Sequence, residues 1–307
     1  MAARRQRRAA TSAQQQEAGT FLLQNLHFIA GMPRSGSTLL AALLNQNPAF
    51  HAGMSSPLFG IFNAALGAMG GNNEFAMFLN DKQKRGMLKG LVTGYYDPLI
   101  EEQPSIRTCF DTNRMWMARL PSLASLYPTS KIICCVRNPA WILDSIETLL
   151  RKNALDATRM FGSDAERISI FARADALMSR GRLMGAPYLA LKEAFHATEA
   201  KNMLIVDYDT LVSKPPETLG LVYQFLKAAP FRHDFENVSY RADEFDSFLL
   251  AKDLHTVSGR VELRKRQTIL PPDLFQRFAS LDFWTAGTGN AFRITAGKPK
   301  AGNATQG

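Results

Sequence analysis

Residues 26–48 read LHFIAGMPRSGSTLLAALLNQNP, and this stretch decides the fold. Residues 26–30 are apolar, a run that suits a strand buried on both faces. GMPRSGST follows at 31–38, with two glycines, a proline and three hydroxyls. Leu39, Leu40, Leu43 and Leu44 recur at helical spacing, and Asn47-Pro48 closes the helix. The pattern is strand, glycine-bearing turn, helix. In that arrangement the turn's backbone N–H groups and the helix N-terminus converge on one point, which attracts phosphate or a similar oxyanion. Gly31 and Gly36 let the backbone curl closely around such an anion. Ser35, Ser37 and Thr38 supply hydroxyl donors, and Arg34 supplies a charged donor fork.

Working outward, strand and helix patterns alternate. Residues 49–56 form a short strand or loop, and 105–111, 131–136 and 202–207 are expected strands. Helices are expected over 57–69, 113–126, 140–153, 164–184, 187–200 and 215–226. Residues 74–95 are amphipathic, with Phe75, Phe78, Leu79, Met87, Leu88, Leu91 and Tyr95 as a core-facing stripe and a break at Asp97-Pro98. This alternation predicts an α/β fold, three layers α/β/α around a central parallel sheet. Ligands of such sheets sit beyond the carboxyl ends of the strands, where GMPRSGST, Asp111, Arg137 and Tyr208 all fall. Residues 21–290 read as one domain, between a disordered basic arm at 1–20 and a flexible tail at 291–307.

The chain has 307 residues and a net charge of +9, with four arginines among the first eight residues. A basic balance favours anionic ligands. Cys109, Cys134 and Cys135 lie in strand-like runs, and the adjacent pair should face opposite sides of its strand. An odd number of cysteines in apolar settings points to reduced thiols and a cytoplasmic location. Neither a secretory signal nor a spanning helix is expected.

Gly31 and Gly36 have the spacing of the nucleotide-triphosphate loop, G-x-x-x-x-G-K-[ST], but Ser37 occupies the lysine position. The basic residue lies inside the turn, at Arg34. Pro33, Arg34 and then Ser-Gly-Ser-Thr resemble the 5′-phosphosulfate loop of sulfotransferases, which transfer a sulfuryl group from 3′-phosphoadenosine 5′-phosphosulfate (PAPS). The resemblance implies a P-loop-like fold and PAPS binding by Pro33, Arg34, Ser35, Gly36, Ser37 and Thr38. Arg137, at a strand end, and Ser145, eight residues on, match the family's pair for the 3′-phosphate. Tyr208 is similar to a tyrosine that approaches the adenine; read alone, it is equally a core tyrosine at the rim.

A late basic segment, 254–268, stands where the family closes a loop over the cofactor, with Ser258, Gly259 and Arg260 as candidates. Arg264, Lys265 and Arg266 read equally as a solvated charge run.

Arg34 is the expected catalytic group at the leaving phosphate. Asp111 is the first candidate base, with a helix N-cap or a salt bridge to Arg114 as its alternative role, and His51 is the second. The reading needs no metal. It expects a small-molecule, carbohydrate or protein acceptor bearing a hydroxyl or amine, and no stable nucleic-acid partner. The rivals are a P-loop-type nucleotide or sugar kinase and a noncatalytic anion- or nucleic-acid-binding protein.

Overall fold

A computed structural model describes residues 22–71, 73–155, 158–248, 255–264, 266–285 and 289–295. The arm expected at 1–20, the end of the chain from 296 and Lys265 lie outside the described residues.

Strand β1 (Asn25–Gly31) runs into the turn, and helix α1 (Ser37–Leu44) leaves it. The chain then forms β2 (Phe50–Ala52), α2 (Leu58–Ala68), α3 (Asp81–Glu102) and β3 (Thr108–Thr112). A 3-10 turn and α4 (Leu120–Leu126) lead to β4 (Ile132–Val136) and α5 (Pro139–Lys152). Next come α6 (Ile170–Met178), α7 (Gly185–His196), β5 (Met203–Asp207), α8 (Tyr208–Ser213) and α9 (Pro215–Leu226). A small hairpin pairs β6 (Val238–Tyr240) with β7 (Val257–Gly259), and α10 (Asp243–Phe248) lies between its strands in sequence. Helix α11 (Pro272–Ala279) and strand β8 (Phe292–Ile294) follow.

The main sheet has the order β2-β3-β1-β4-β5-β8, and every described pairing in it is parallel. Its strands obey the two-residue alternation of side chains. Phe28, Ala30, Ile132, Cys134, Met203 and Ile205 enter the core on one face. Ile29, Ile133, Cys135, Leu204 and Val206 enter the core on the other. Cys134 and Cys135 thus part as expected, and all three cysteines are free and buried. From β1 the chain crosses first to one side, to β2 and β3, and then to the other, to β4 and β5. The carboxyl end of β1 is therefore the point where the winding reverses, the usual ligand crevice of such sheets.

Four expectations are corrected. Phe292–Ile294, assigned to a flexible tail, is the edge strand paired with β5. Three residues at an edge carry too little pattern to announce a strand; pairing makes them one. Helix α3 runs through Asp97-Pro98 to Glu102 instead of breaking there. Its buried row is Leu88, Val92, Tyr96 and Ile100, whereas Phe75, Phe78, Met87 and Tyr95 are exposed. A stripe repeating at i, i+4 fixes the inward face, and the aromatic residues ahead of it had shifted the apparent phase. The helix expected over 164–184 is only Ile170–Met178. No described helix is long and apolar enough to cross a membrane.

Candidate active site

The turn after β1 owes its shape to three residues in the left-handed backbone region: Gly31 at φ 131°, Arg34 at φ 56° and Gly36 at φ 90°. A Cβ on Gly31 would lie 2.0 Å from the Cys135 carbonyl oxygen, so only glycine lets the turn lie against β4. A Cβ on Gly36 would lie 2.8 Å from the Tyr208 ring. The Met32 N–H donates to the Cys135 carbonyl at 2.9 Å. The Ser35 hydroxyl lies 2.5 Å from the Met32 carbonyl and 2.8 Å from that of Cys135. Ser35 is therefore buried and ties the turn to β4; its side chain is not the anion donor expected from sequence. Gly36 caps α1 without a side-chain hydrogen bond, which leaves the first helical N–H groups facing the turn.

The turn opens into a cavity of about 850 Å³, toward the upper end of the range usual for small-molecule sites. Pro33, Arg34, Gly36, Ser37, Thr38, Arg137, Ser145, Tyr208, Ser258, Gly259 and Arg260 all line it. Residues from five separate segments thus meet at the switch point. Among the described lining residues are eight arginines and a single acid, Glu262, so the cavity is built for anions.

Arg34 Nε donates to Ser145 Oγ at 3.2 Å. The Arg137 guanidinium carbon lies over the Tyr208 ring, 4.2 Å from its centroid, a cation–π contact. Tyr208 thereby wedges between Gly36 and Arg137, whatever base it also meets. Burial lowers the pKa of Arg34, and the neighbouring charge of Arg137 lowers it further. Burial likewise lowers that of Arg137, with Arg266 adding to the effect. Arg137 Nε, Thr112 Oγ1 and Thr256 Oγ1 are enclosed and make no hydrogen bond to the described residues. All three residues line the cavity. A buried polar atom without a partner is costly, and three residues that carry one border this cavity.

The late segment reaches the site as part of the β6–β7 hairpin. Arg260 meets Glu236 at 3.3 Å, and both are mostly exposed. Arg266 is no solvated charge: it meets the buried Asp144 at 2.8 Å and lies over Trp141. Asp144 also accepts from the Thr268 hydroxyl and the Ile269 N–H, both at 2.9 Å, and so pins this segment to α5.

Neither expected base reaches the cavity wall. Asp111 is wholly buried, accepting from Tyr96 Oη at 2.8 Å and Trp116 Nε1 at 2.6 Å. Burial raises its pKa, against hydrogen bonds from Ser56, Trp116 and Tyr96 that lower it. It is a hydrogen-bond hub beneath the site, with no acceptor able to touch it. His51, on the short β2, lies beside Tyr96 with ring centroids 6.0 Å apart, and burial lowers its pKa.

The cavity does hold a histidine that the sequence reading passed over. His255 lines it, and His255 Nδ1 lies 2.6 Å from Asp246 Oδ1. The His255 backbone N–H donates to Asp246 Oδ2 at 2.9 Å. Asp246 is buried on α10, nine residues earlier. Such spacing matches no local motif, so a scattered histidine and a helix aspartate gave no signal of their meeting.

The sequence matches the sulfotransferase family over residues 27–232. Among solved structures, the sulfotransferase domain from the curacin biosynthetic pathway is similar at 20% identity, with a TM-score of 0.49, over 84% of this chain and 97% of that one. The sulfotransferase STF9 from Mycobacterium avium is 14% identical, with a TM-score of 0.44, over 87% of this chain and 77% of that one. A sulfotransferase from Alicyclobacillus acidocaldarius is 15% identical, with a TM-score of 0.44, over 73% of this chain and 90% of that one. No curated protein matches the sequence.

Proposed function

The chain belongs to the sulfotransferase family, and from that premise we propose that it moves a sulfuryl group from PAPS to a hydroxyl or amine acceptor. The observation that carries the reading is that Arg137, whose guanidinium lies over the Tyr208 ring, lines the same cavity as the 31–38 turn. One ligand with two separated anionic groups satisfies both. PAPS supplies an activated sulfuryl group on its 5′-phosphate and a second phosphate at the 3′ position.

The residues present fit it. The N–H groups at the start of α1, the Ser37 and Thr38 hydroxyls and Arg34 receive the 5′ end. Arg137, in cation–π contact with Tyr208, takes the 3′-phosphate with the late hairpin residues Ser258, Gly259 and Arg260. Ser145, already bonded to Arg34, couples the two ends. Charge that grows on the 5′-phosphate oxygen during transfer meets Arg34 and backbone donors already in place, which lowers the barrier without reorganisation. A kinase reading lacks the loop lysine, since Ser37 stands in its position. Three buried thiols, all free, accord with a reducing compartment such as the cytoplasm.

Calorimetry with adenosine 3′,5′-bisphosphate (PAP), ATP and inorganic phosphate tests the proposal. PAP is expected to bind far more tightly than ATP, and to do so in EDTA. Equal affinity for ATP and PAP, or PAP binding only with added magnesium, would overturn it.

A further inference from the structure

We infer that the acceptor of this site is an amphiphilic hydroxy acid: its hydroxyl faces the sulfuryl group, and an anionic group on its apolar body meets Arg114. The inference rests on the sulfotransfer reading and adds to it the class of the acceptor.

The strand order divides the cavity. The turn after β1, Arg137 after β4 and Tyr208 after β5 stand at β1 and to one side of it, and the proposed cofactor takes that half. The same cavity continues to the other side of β1, over residues 112–115 after β3 and over Met54 and Ser55 after β2. This second half is the room left for an acceptor. Met54 and Met115 give it apolar walls, and Arg114 gives it a cation. Met160, Leu183 and Pro187 add to the apolar lining of the cavity. Such a surface suits a ligand with an apolar body and a charged end.

The turn that carries Arg114 is fixed on both sides of it. The Asn113 N–H donates to the Ile29 carbonyl of β1 at 3.0 Å, and Asn113 Oδ1 accepts from the Met115 N–H at 3.0 Å. Trp116 is buried, with its Nε1 on Asp111. Asp111, the nearest acid in sequence, is occupied by Tyr96 and Trp116. Among the described residues Arg114 has no hydrogen-bond or ion-pair partner. By contrast, Arg182, Arg260, Arg264 and Arg266 of the same cavity each meet an acid. Arg114 is exposed, yet enough protein surrounds it that burial lowers its pKa, with no acid pulling the other way. Arg114 and Arg34 both act on His255, another lining residue, so the two guanidiniums stand around one region of the cavity. A partly desolvated guanidinium on a fixed turn, with no counter-charge, favours a carboxylate, which its fork can bond twice.

The alternatives are that Arg114 serves the cofactor or is merely solvated, and the test separates them. The full chain loaded with PAP is titrated with p-hydroxyphenylpropionate and with its amide, a pair differing in charge alone. PAPS turnover is then measured with both and with the cationic phenol tyramine. The acid should bind more tightly than the amide, and show a higher kcat/KM, by about 10–100-fold, the worth of a charge-assisted contact. Tyramine should be the poorest of the three. Arg114→Gln should bring the ratio of acid to amide close to one and keep PAP affinity. Arg114→Lys should keep part of the preference, and Arg114→Glu should invert it in favour of tyramine. Scanning calorimetry should find the melting temperature of these variants little moved, since Arg114 is exposed. Acid and amide bound alike, neither bound at millimolar concentration, or a preference that survives Arg114→Gln would overturn the proposal. Loss of PAP affinity in Arg114→Gln would give the residue to the cofactor and overturn it equally. A wild-type chain that neither binds PAP nor consumes PAPS overturns the sulfotransfer reading itself. PAPS turnover with no preference for the acid overturns only the class of the acceptor.

Discussion

Replacing Arg34 by alanine and by glycine separates what its guanidinium does from what its backbone costs. Arg34 sits at φ 56°, in the left-handed region. That conformation costs a side-chain-bearing residue about 1–2 kcal/mol. Glycine escapes the cost but loses roughly 0.5–1 kcal/mol to the greater freedom of its unfolded chain. The glycine variant should therefore be more stable than the alanine variant by up to about 1.5 kcal/mol, a melting temperature higher by up to roughly 3 °C in a chain of this size. Both variants lose the guanidinium that bonds Ser145 and stands beside Arg137. A donor that meets growing charge matters more in the transition state than in the ground state. Both should lower kcat for PAPS turnover by about 10²–10³, the size of losing one preorganised donor. PAP affinity should fall less, and Arg34→Lys should recover part of the rate, a point charge replacing a fork. Scanning calorimetry, PAPS turnover with phenol and PAP titration complete the set. An unchanged kcat with a raised KM would make Arg34 a ground-state clamp. A glycine variant less stable than the alanine variant by about 0.5–1 kcal/mol would show that the turn is not strained there.

Arg137→Ala should weaken PAP by about 10–100-fold, the worth of a charge-assisted contact, and leave adenosine 5′-phosphosulfate, which lacks the 3′-phosphate, nearly unaffected; paired titrations read the difference. Asp111→Ala should lower the melting temperature by stranding Tyr96 Oη and Trp116 Nε1, whereas Asp111→Asn can bond both and should keep PAPS turnover. Because burial raises the Asp111 pKa, the folded state holds its proton the more tightly; its contribution is full below 3.8 and is lost as pH rises through the folded value, and Asp111→Asn should flatten that slope in urea melts. His27 is pushed down to about 4 by burial and then by Lys131. Its contribution is present above 6.5 and lost as pH falls toward about 4, each unit of the gap being worth about 1.4 kcal/mol, and His27→Gln should reduce that acid loss in denaturant melts.

The three-layer architecture and the anion-binding turn were legible because local chemistry determines them. Glycines at 31 and 36, hydroxyls at 35, 37 and 38 and the leucine row of α1 state strand, turn and helix within a few residues of one another. The apolar runs of β4 and β5 state a sheet buried on both faces. Ser35 shows where that legibility stops. Its type suggested a donor to an anion, yet its hydroxyl points back to the Met32 and Cys135 carbonyls, because β4 packs directly behind the turn. Asp111 shows the same limit: placed correctly at a strand end, it is sealed by Tyr96 of α3 and Trp116.

By itself, the sequence determined which residues could bind an anion and on which edge of the sheet they would stand, since strand period, helix period and glycine placement are short-range properties. The tertiary structure alone decided which of them share one cavity. It set Arg137 over Tyr208, bonded Arg34 to Ser145, pinned Arg266 to Asp144 and joined Asp246 to His255. Those meetings depend on how separate elements pack, and a side chain's protonation and reach depend on what buries it, which no local pattern of residues records.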